Sequence, residues 1–351
     1  MKSIEKNLLS KLKNHKMSVR KNKLVDVFKA RYYISPEDLY VKNYIRTKPV
    51  AVFNPGAVIK AEKLFIFPRL IFDYYKYTSS VGVFSLDIEK IVKGGIDRPV
   101  ETEIILWPKE LWEFLGCEDA RVSLHGDNLY MLYTGKGYYY GEGDELVRRD
   151  VLGFAEFNET YELKRKGYFR ISDGKEEFLP VTTKDSAFIE VENNSATMLV
   201  RLEISDTLVC WRASADLESL TLNAESIEPV LLPENWEHKV GWSTNAVKLS
   251  DDEYLIGWHA VLKEDLSYKN GLALVDRDGR LKAISDYLLA PRGLNEEYGD
   301  RAMVIFGDGL ILYDDKLLWV GGVSDYCIGI FVAKLEDVLK ELKPCNEKGI
   351  I

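Results

Sequence analysis

A chain of 351 residues with 47 basic and 56 acidic side chains, net charge -9 and 46% hydrophobic residues has the composition of a soluble globular protein with a large core. The acidic balance argues against general nucleic-acid affinity, and no apolar run approaches the roughly 20 residues that span a bilayer. Cys117, Cys210, Cys327 and Cys345 lie far apart without metal-ligand spacing, so neither a disulfide framework nor a metal site is expected. The first 30 residues are charged throughout and lack an apolar signal region, which sets the expectation of a cytoplasmic protein. Glutamine is absent while Lys and Glu abound, a bias resembling that of proteins from hot environments.

In chain order, the first element is basic, with Lys2, Lys6, Lys11, Lys13, Lys16, Arg20, Lys21, Lys23, Lys29 and Arg31. Ile4, Leu8, Leu9 and Leu12 fall at helical spacing, predicting a short amphipathic helix packed on the outside of the fold or on a neighbouring subunit. A nucleic-acid or membrane arm is the weaker reading. This extension is assigned to residues 1–50.

A strand unit then recurs five times. Its first strands are Leu64–Arg69, Leu129–Thr134, Ala196–Arg201, Tyr254–His259 and Leu317–Gly322. The strands that follow are Gly82–Asp87, Gly153–Asn158, Val209–Asp216, Gly271–Asp276 and Gly329–Asp337. A spacing of roughly 55 to 70 residues is the length of a four-stranded propeller blade with its loops. The predicted fold is therefore all-β: a five-bladed β-propeller over residues 51–343, with short N-terminal and C-terminal helical extensions and a tail at 344–351. A last helix, Leu335–Leu342, is expected beneath the final blade, and the two terminal elements offer surfaces for a homo-oligomer.

Each blade should open with an innermost strand, and these align on Ala57-Val58, Arg121-Val122, Ala187-Phe188, Ala246-Val247 and Met303-Val304. Polar clusters precede those pairs: Asn54-Pro55, Glu118-Asp119 with Arg121, Lys184-Asp185, Lys239 to Asn245, and Glu296 to Arg301. The ends of the strands after them gather Arg69, Thr134, Arg201, His259 and, slightly displaced, Asp325 at one central funnel. Charges taken from water need partners, so such a ring points to an anion or polar ligand. Carboxylates beside guanidinium groups, such as Glu118, Asp119, Arg121 and Glu296, suit the binding of sugar hydroxyls.

These motifs resemble glycoside hydrolase family 130, the five-bladed mannoside phosphorylases and related mannosidases. The likeness rests on Phe53-Asn54-Pro55-Gly56, Gly116-Cys-Glu-Asp-Ala-Arg121, Met198-Leu-Val-Arg201, His238-Lys-Val-Gly241, Gly257-Trp-His259 with Tyr268, Glu296-Glu-Tyr-Gly299 and Gly321-Gly-Val-Ser-Asp325. The resemblance implies that Asp119 is the acid, acting through the 3-hydroxyl of the mannosyl unit. It further implies that Arg201, Lys239, His259 and Tyr268 hold inorganic phosphate, and that Asn54, Arg69 and Asp325 hold the mannose. The chain departs from the family pattern at Ala120, Leu202, Trp242 to Asn245, Arg301 and Met303, and the last two bear on the mannose or the acceptor pocket.

A hydrolase of the inverting kind needs a second carboxylate to activate water, whereas phosphate is already an anionic nucleophile and calls for cations. The expected reaction is therefore attack by phosphate on a β-mannoside with inversion, giving α-mannose 1-phosphate without any cofactor. Two alternatives stand beside it: a β-mannosidase using Asp185 or Glu296 as base, and a sugar-binding propeller without turnover. At single residues the plainer readings are a salt bridge of Arg201 with Asp185 or Glu203, a hydrogen-bonded core position for His259, and a rim hairpin for Tyr138–Tyr140.

Overall fold

The computed structural model describes residues 2–15, 19–141, 144–346 and 349–350. Lys16 of the basic segment, Glu142-Gly143 of the rim hairpin, and residues 347, 348 and 351 of the tail lie outside the described residues. The architecture is mostly β, with only short helices. Runs rich in Val, Ile, Phe and Tyr form strands, and tight turns separate them. The hairpin turns Ala61-Glu62 and Ser205-Asp206 have both central residues in the left-handed region, at φ 49° and 60° and at 47° and 62°. That geometry matches the twist of the strands they join.

The strands assemble into five antiparallel four-stranded units. The first holds Ala51–Lys60, Lys63–Ile71, Ser79–Asp87 and Val100–Leu106. The second holds Gly116–His125, Asn128–Tyr140, Leu146–Phe157 and Leu163–Tyr168. Thr183–Glu192, Ser195–Ile204, Thr207–Asp216 and Glu228–Leu231 make the third. Glu237–Ser250, Glu253–Leu262, Tyr268–Val275 and Leu281–Ile284 make the fourth. The fifth pairs Ile305–Tyr313, Lys316–Val323 and Cys327–Lys334 with Ala30–Ile34 from the N-terminal segment. Strand pairing thus begins well before residue 51.

The innermost strands are the first of each unit, and each lies beside the innermost strands of two other units. Sheets packed face to face bury both sides of a strand, and residues 51–58 of the first unit are buried without interruption. Trp211, Trp242, Trp258 and Trp319 fill the space between sheets and are fully buried.

Every innermost strand slips register at the same height. The slips fall between Phe53 and Gly56, Glu118 and Arg121, Lys184 and Ala187, Trp242 and Ala246, and Gly307 and Gly309. These are bulges, in which unpaired residues bend the strand and re-aim side chains. They also correct the sequence alignment of the inner strands. The equivalent residues are Ala57, Val122, Phe188, Ala246 and Leu310, which face Ile66, Met131, Met198, Ile256 and Trp319. Ala57-Val58 and Ala246-Val247 were therefore aligned one residue late. Met303-Val304 lies before the fifth inner strand altogether, because the bulge of that unit holds Asp308.

The helix Ser3–Asn14 lays Ile4 and Leu8 into the core of the third unit, beside Leu202, Val209 and Leu217. The last helix spans Leu335–Lys340 and buries Val338 against Phe331 and Ala333. After it, Lys343–Asn346 pairs with Leu281–Ile284 of the fourth unit. Leu8 is completely buried, so Leu8→Ala is expected to lower unfolding free energy by about 2–5 kcal/mol. Urea denaturation of the full chain measures the loss.

Candidate active site

The five bulges supply most of the polar groups at the centre of the molecule. Asn54, Asp119 and Asp185 occupy equivalent bulge positions in the first three units, with φ 44°, 54° and 47°. A non-glycine residue in this region is strained, and such strain persists only where surroundings over-determine it. For Asp119 and Asp185 the surroundings include one shared guanidinium. Arg121, almost wholly buried, donates from Nε to the Ser243 carbonyl at 2.7 Å and from Nη1 to the Asp119 carbonyl at 2.8 Å. Its Nη2 donates to Asp185 Oδ1 at 3.2 Å and lies 2.6 Å from Asp308 Oδ1, the latter out of line for a hydrogen bond. A single side chain therefore joins the bulges of four units. Although desolvation opposes its charge, Asp308 and Asp185 carry Arg121 above its usual range.

On one side of this clamp stands an acidic group. Asp119 Oδ1 accepts from Asn54 Nδ2 at 2.9 Å and from Arg69 Nη1 at 3.2 Å. Its Oδ2 has no protein hydrogen bond among the described residues. Arg69 Nη2 donates to Glu118 Oε1 at 2.8 Å, and its Nε donates to Ser79 Oγ at 2.8 Å. The Arg69 guanidinium also covers the Phe53 ring at 4.9 Å. Gly322 is required beside this cluster, since a Cβ there would collide with Asn54 Oδ1. That glycine, rather than Asp325, occupies the position equivalent to Arg69 and Arg201 in the repeat. Burial raises the Asp325 carboxyl to about 6, against the pull of Arg69 and Arg301.

On the other side the charge is positive. Arg201 Nη1 is hydrogen-bonded to Asp185 Oδ2, and its buried Nε has no hydrogen-bond partner among the described residues. His259 Nδ1 lies 3.0 Å from Ser243 Oγ, and its ring stacks on Tyr268 at 5.5 Å and 13°. Gly241 lets these groups converge: a Cβ there would collide with His259 Cε1 and lie 3.0 Å from Arg201 Cδ. Lys239 Nζ lies over the Tyr268 ring at 5.6 Å. Desolvation, with Arg201, Arg301 and Lys184 nearby, brings the Lys239 ammonium down to about 8. Burial likewise pushes His259 well below its ordinary value, so its imidazole is neutral at pH 7. Burial alone would raise Asp185, but Arg201 and Arg121 hold it well below the usual carboxylate range.

Of the residues singled out from sequence, Asn54, Arg69, Glu118 and Asp119 meet in one cluster and Arg201, Lys239, His259 and Tyr268 in another, with Arg121 between them. Glu296 stands apart. It is completely buried, and its carboxylate takes Tyr33 Oη at 2.6 Å, Arg31 Nη1 at 2.5 Å and the Arg292 amide at 2.8 Å. Thr134 is buried, and its hydroxyl has no hydrogen-bond partner among the described residues. Tyr138 packs near Phe114 and Tyr139 near Tyr168. The salt bridge of Arg201 with Asp185 is present, as the plainer reading required. Sequence reasoning passed over Asp308, held Ser243 only within the cluster Lys239 to Asn245, and gave Asp185 a place among the polar clusters but no role beyond a rival partner or base. Asp185 could have been found from its equivalence to Asp119 and Asn54; Asp308 could not, because the fifth inner strand was misaligned.

The family model described as beta-1,4-mannooligosaccharide phosphorylase, that of glycoside hydrolase family 130, matches residues 18–344. The chain belongs to glycoside hydrolase family 130. It is thus an enzyme of the β-mannoside phosphorylase family. A beta-1,2-mannobiose phosphorylase of Thermoanaerobacter sp. (strain X514) is 27% identical over 303 residues, covering 82% of this chain and 91% of that protein. Among solved structures, a beta-1,2-mannobiose phosphorylase from Listeria innocua in complex with beta-1,2-mannobiose superposes with a TM-score of 0.62 at 18% identity. The match covers 89% of this chain and 98% of that one. A mannose phosphorylase from Leishmania mexicana in complex with phosphate ion gives 0.55 at 15% identity, over 99% and 95%. These structures share the mostly β fold of the family 130 chain.

Breaking a buried ion pair by removing one partner leaves an uncompensated charge, at about 3–5 kcal/mol. Arg121→Met is expected to destabilise the family 130 enzyme by that amount, since it strands Asp308 and removes one of the two guanidinium partners of Asp185. Calorimetry measures it, and adding Asp308→Asn to the variant should recover part of the loss.

Proposed function

We propose that this enzyme is a five-bladed propeller that cleaves a β-mannoside with inorganic phosphate and inverts the anomeric carbon. In this reading a phosphate oxygen bonds to C1 as the bond to the leaving oxygen breaks. The leaving oxygen takes its proton from Asp119 by way of the mannosyl 3-hydroxyl, and the products are α-mannose 1-phosphate and the shortened acceptor. Asn54, Arg69 and Asp325 hold the mannosyl unit. Arg201, Lys239, His259 and Tyr268 hold the phosphate. Glu118 positions Arg69, and Arg121 keeps the acid and the cations in fixed relation.

The observation that carries this reading is the asymmetry of free charge. Asp119 keeps one oxygen unengaged by protein, while the opposite cluster holds Arg201 and Lys239 with a single carboxylate, Asp185, sealed between two arginines. A hydrolytic base must accept a proton from water. Asp185 is poorly suited to that, because two guanidinium groups favour its charged form, and Glu296 is fully engaged by Arg31, Tyr33 and the Arg292 amide. Arginine presents planar donors that match phosphate oxygens. The β-1,2-mannobiose used by two of the similar proteins is the first disaccharide to try.

Incubation of the purified protein with β-1,2-mannobiose, β-1,4-mannobiose or mannosylated chitobiose should release mannose 1-phosphate only when phosphate is added. Phosphate-independent release of free mannose would decide for hydrolysis instead. Asp119→Asn should lower kcat by roughly a hundredfold or more, the order contributed by a positioned acid, while disaccharide binding by calorimetry persists.

Lys239 also makes phosphate binding depend on pH. Its folded value near 8 lies below the ordinary lysine value, so the cation is lost as pH rises through about 8. The KM for phosphate is expected to climb above that pH, and Lys239→Met should raise KM at neutral pH and flatten the climb.

A further inference from the structure

Besides the residues already assigned, one cation faces the same group of rings. Arg301 Cζ lies over the Tyr268 ring at 5.0 Å, and Lys239 Nζ lies over that ring at 5.6 Å. Two cations on one aromatic ring repel each other unless something negative lies between them. Among the described residues Arg301 forms no salt bridge, although its neighbour Asp300 accepts from Tyr77 Oη at 2.6 Å. The nearby Asp325 feels the Arg301 charge, as do Lys239 and Tyr268.

An exposed arginine resting on a tyrosine is ordinarily a solvated side chain. The backbone argues otherwise here. The segment Leu294–Glu297 to Met303 is tied down along its length: Glu296 by Arg31 and Tyr33, and the Glu296 carbonyl by Ser324 Oγ at 2.8 Å. The Arg301 amide donates to the Ser324 carbonyl at 3.0 Å, and the Tyr268 amide donates to the Met303 carbonyl at 3.0 Å. The chain is thus fastened on both sides of Arg301, and to Tyr268 itself. A fixed backbone reduces the ordering that a long side chain loses when it grips a ligand.

We infer that Arg301 is a further phosphate-binding residue, joining Lys239 over the Tyr268 ring to complete the shell around the anion. The inference rests on the phosphorolysis reading above. Phosphate carried on α-mannose 1-phosphate meets the same guanidinium in the reverse reaction, whereas the acceptor sugar does not. Glu296 is then a positioning residue for Arg301 and not a sugar ligand.

The test compares wild type with Arg301→Met and Arg301→Lys in the full-length protein. With Arg301→Met, KM for inorganic phosphate and KM for α-mannose 1-phosphate should each rise about tenfold or more, the order expected on losing a charge-assisted contact. KM for the β-mannoside should move less than twofold. Arg301→Lys should recover part of the loss. Calorimetric titration with inorganic phosphate alone gives a readout independent of turnover, and the affinity should fall by the same factor. If Arg301→Met binds phosphate as wild type does, or if only the mannoside KM rises, the inference is overturned while phosphorolysis stands. If wild type binds no phosphate and releases mannose without it, both fall. The side chain is exposed, so melting temperatures should match and folding should not confuse the comparison.

Discussion

The buried guanidinium of Arg121 is the interaction on which the site depends. Five separate bulges, each strained or irregular, must be held in one relative position, and no strand ladder runs between them to do it. Arg121 reaches the bulges of the second, third, fourth and fifth units through two carbonyls and two carboxylates. Asn54 and Arg69 bring in the first through Asp119. An apolar side chain could fill the same volume but would leave Asp308 without a cation and Asp185 with Arg201 alone. Here a buried ion network serves geometry: it fixes which way the bulged residues point.

That fixed geometry separates two electrostatic environments a short distance apart. Around Asp119 the positive charge of Arg69 is shared between two carboxylates and a hydroxyl. Around Tyr268 the positive charges outnumber the negative, and burial keeps water from screening them. Burial is the main reason that Lys239 is depressed and His259 neutral, and the neighbouring Arg201 adds to it in both. An environment of this kind is costly when empty and favourable when an anion fills it. Electrostatic preorganisation of this sort is what a reaction with a charged nucleophile requires.

Much of this could be read in the chain. The recurring strand pairs locate all five units, and equivalence within the repeat is enough to bring the strand ends Arg69, Arg201 and His259 to one region. The rest depended on register. A bulge changes which residue faces which without changing the hydrophobic pattern, so the alignment slid by one residue in two units and by more in the fifth, hiding Asp308. Glu296 looked like a funnel residue because it sits among charges in a loop. Its true partners, Arg31 and Tyr33, lie about 260 residues away in sequence, and only tertiary structure brings them together. The segment before residue 51 was read as an appendage on composition alone. Its strand Ala30–Ile34 is short and half-buried, with no strict alternation to announce it.

The pairing of Ala30–Ile34 with Cys327–Lys334 has a consequence for biosynthesis. The ribosome makes one partner near the start and the other near the end, so the fifth sheet cannot gain its outer strand until almost the whole polypeptide has emerged. Arg20 and Arg31 wait likewise for Glu237 and Glu296. Contacts this distant along the chain form late and slow assembly. Asp119 is therefore synthesised well before Cys327–Lys334, the strand that pairs the fifth sheet with Ala30–Ile34.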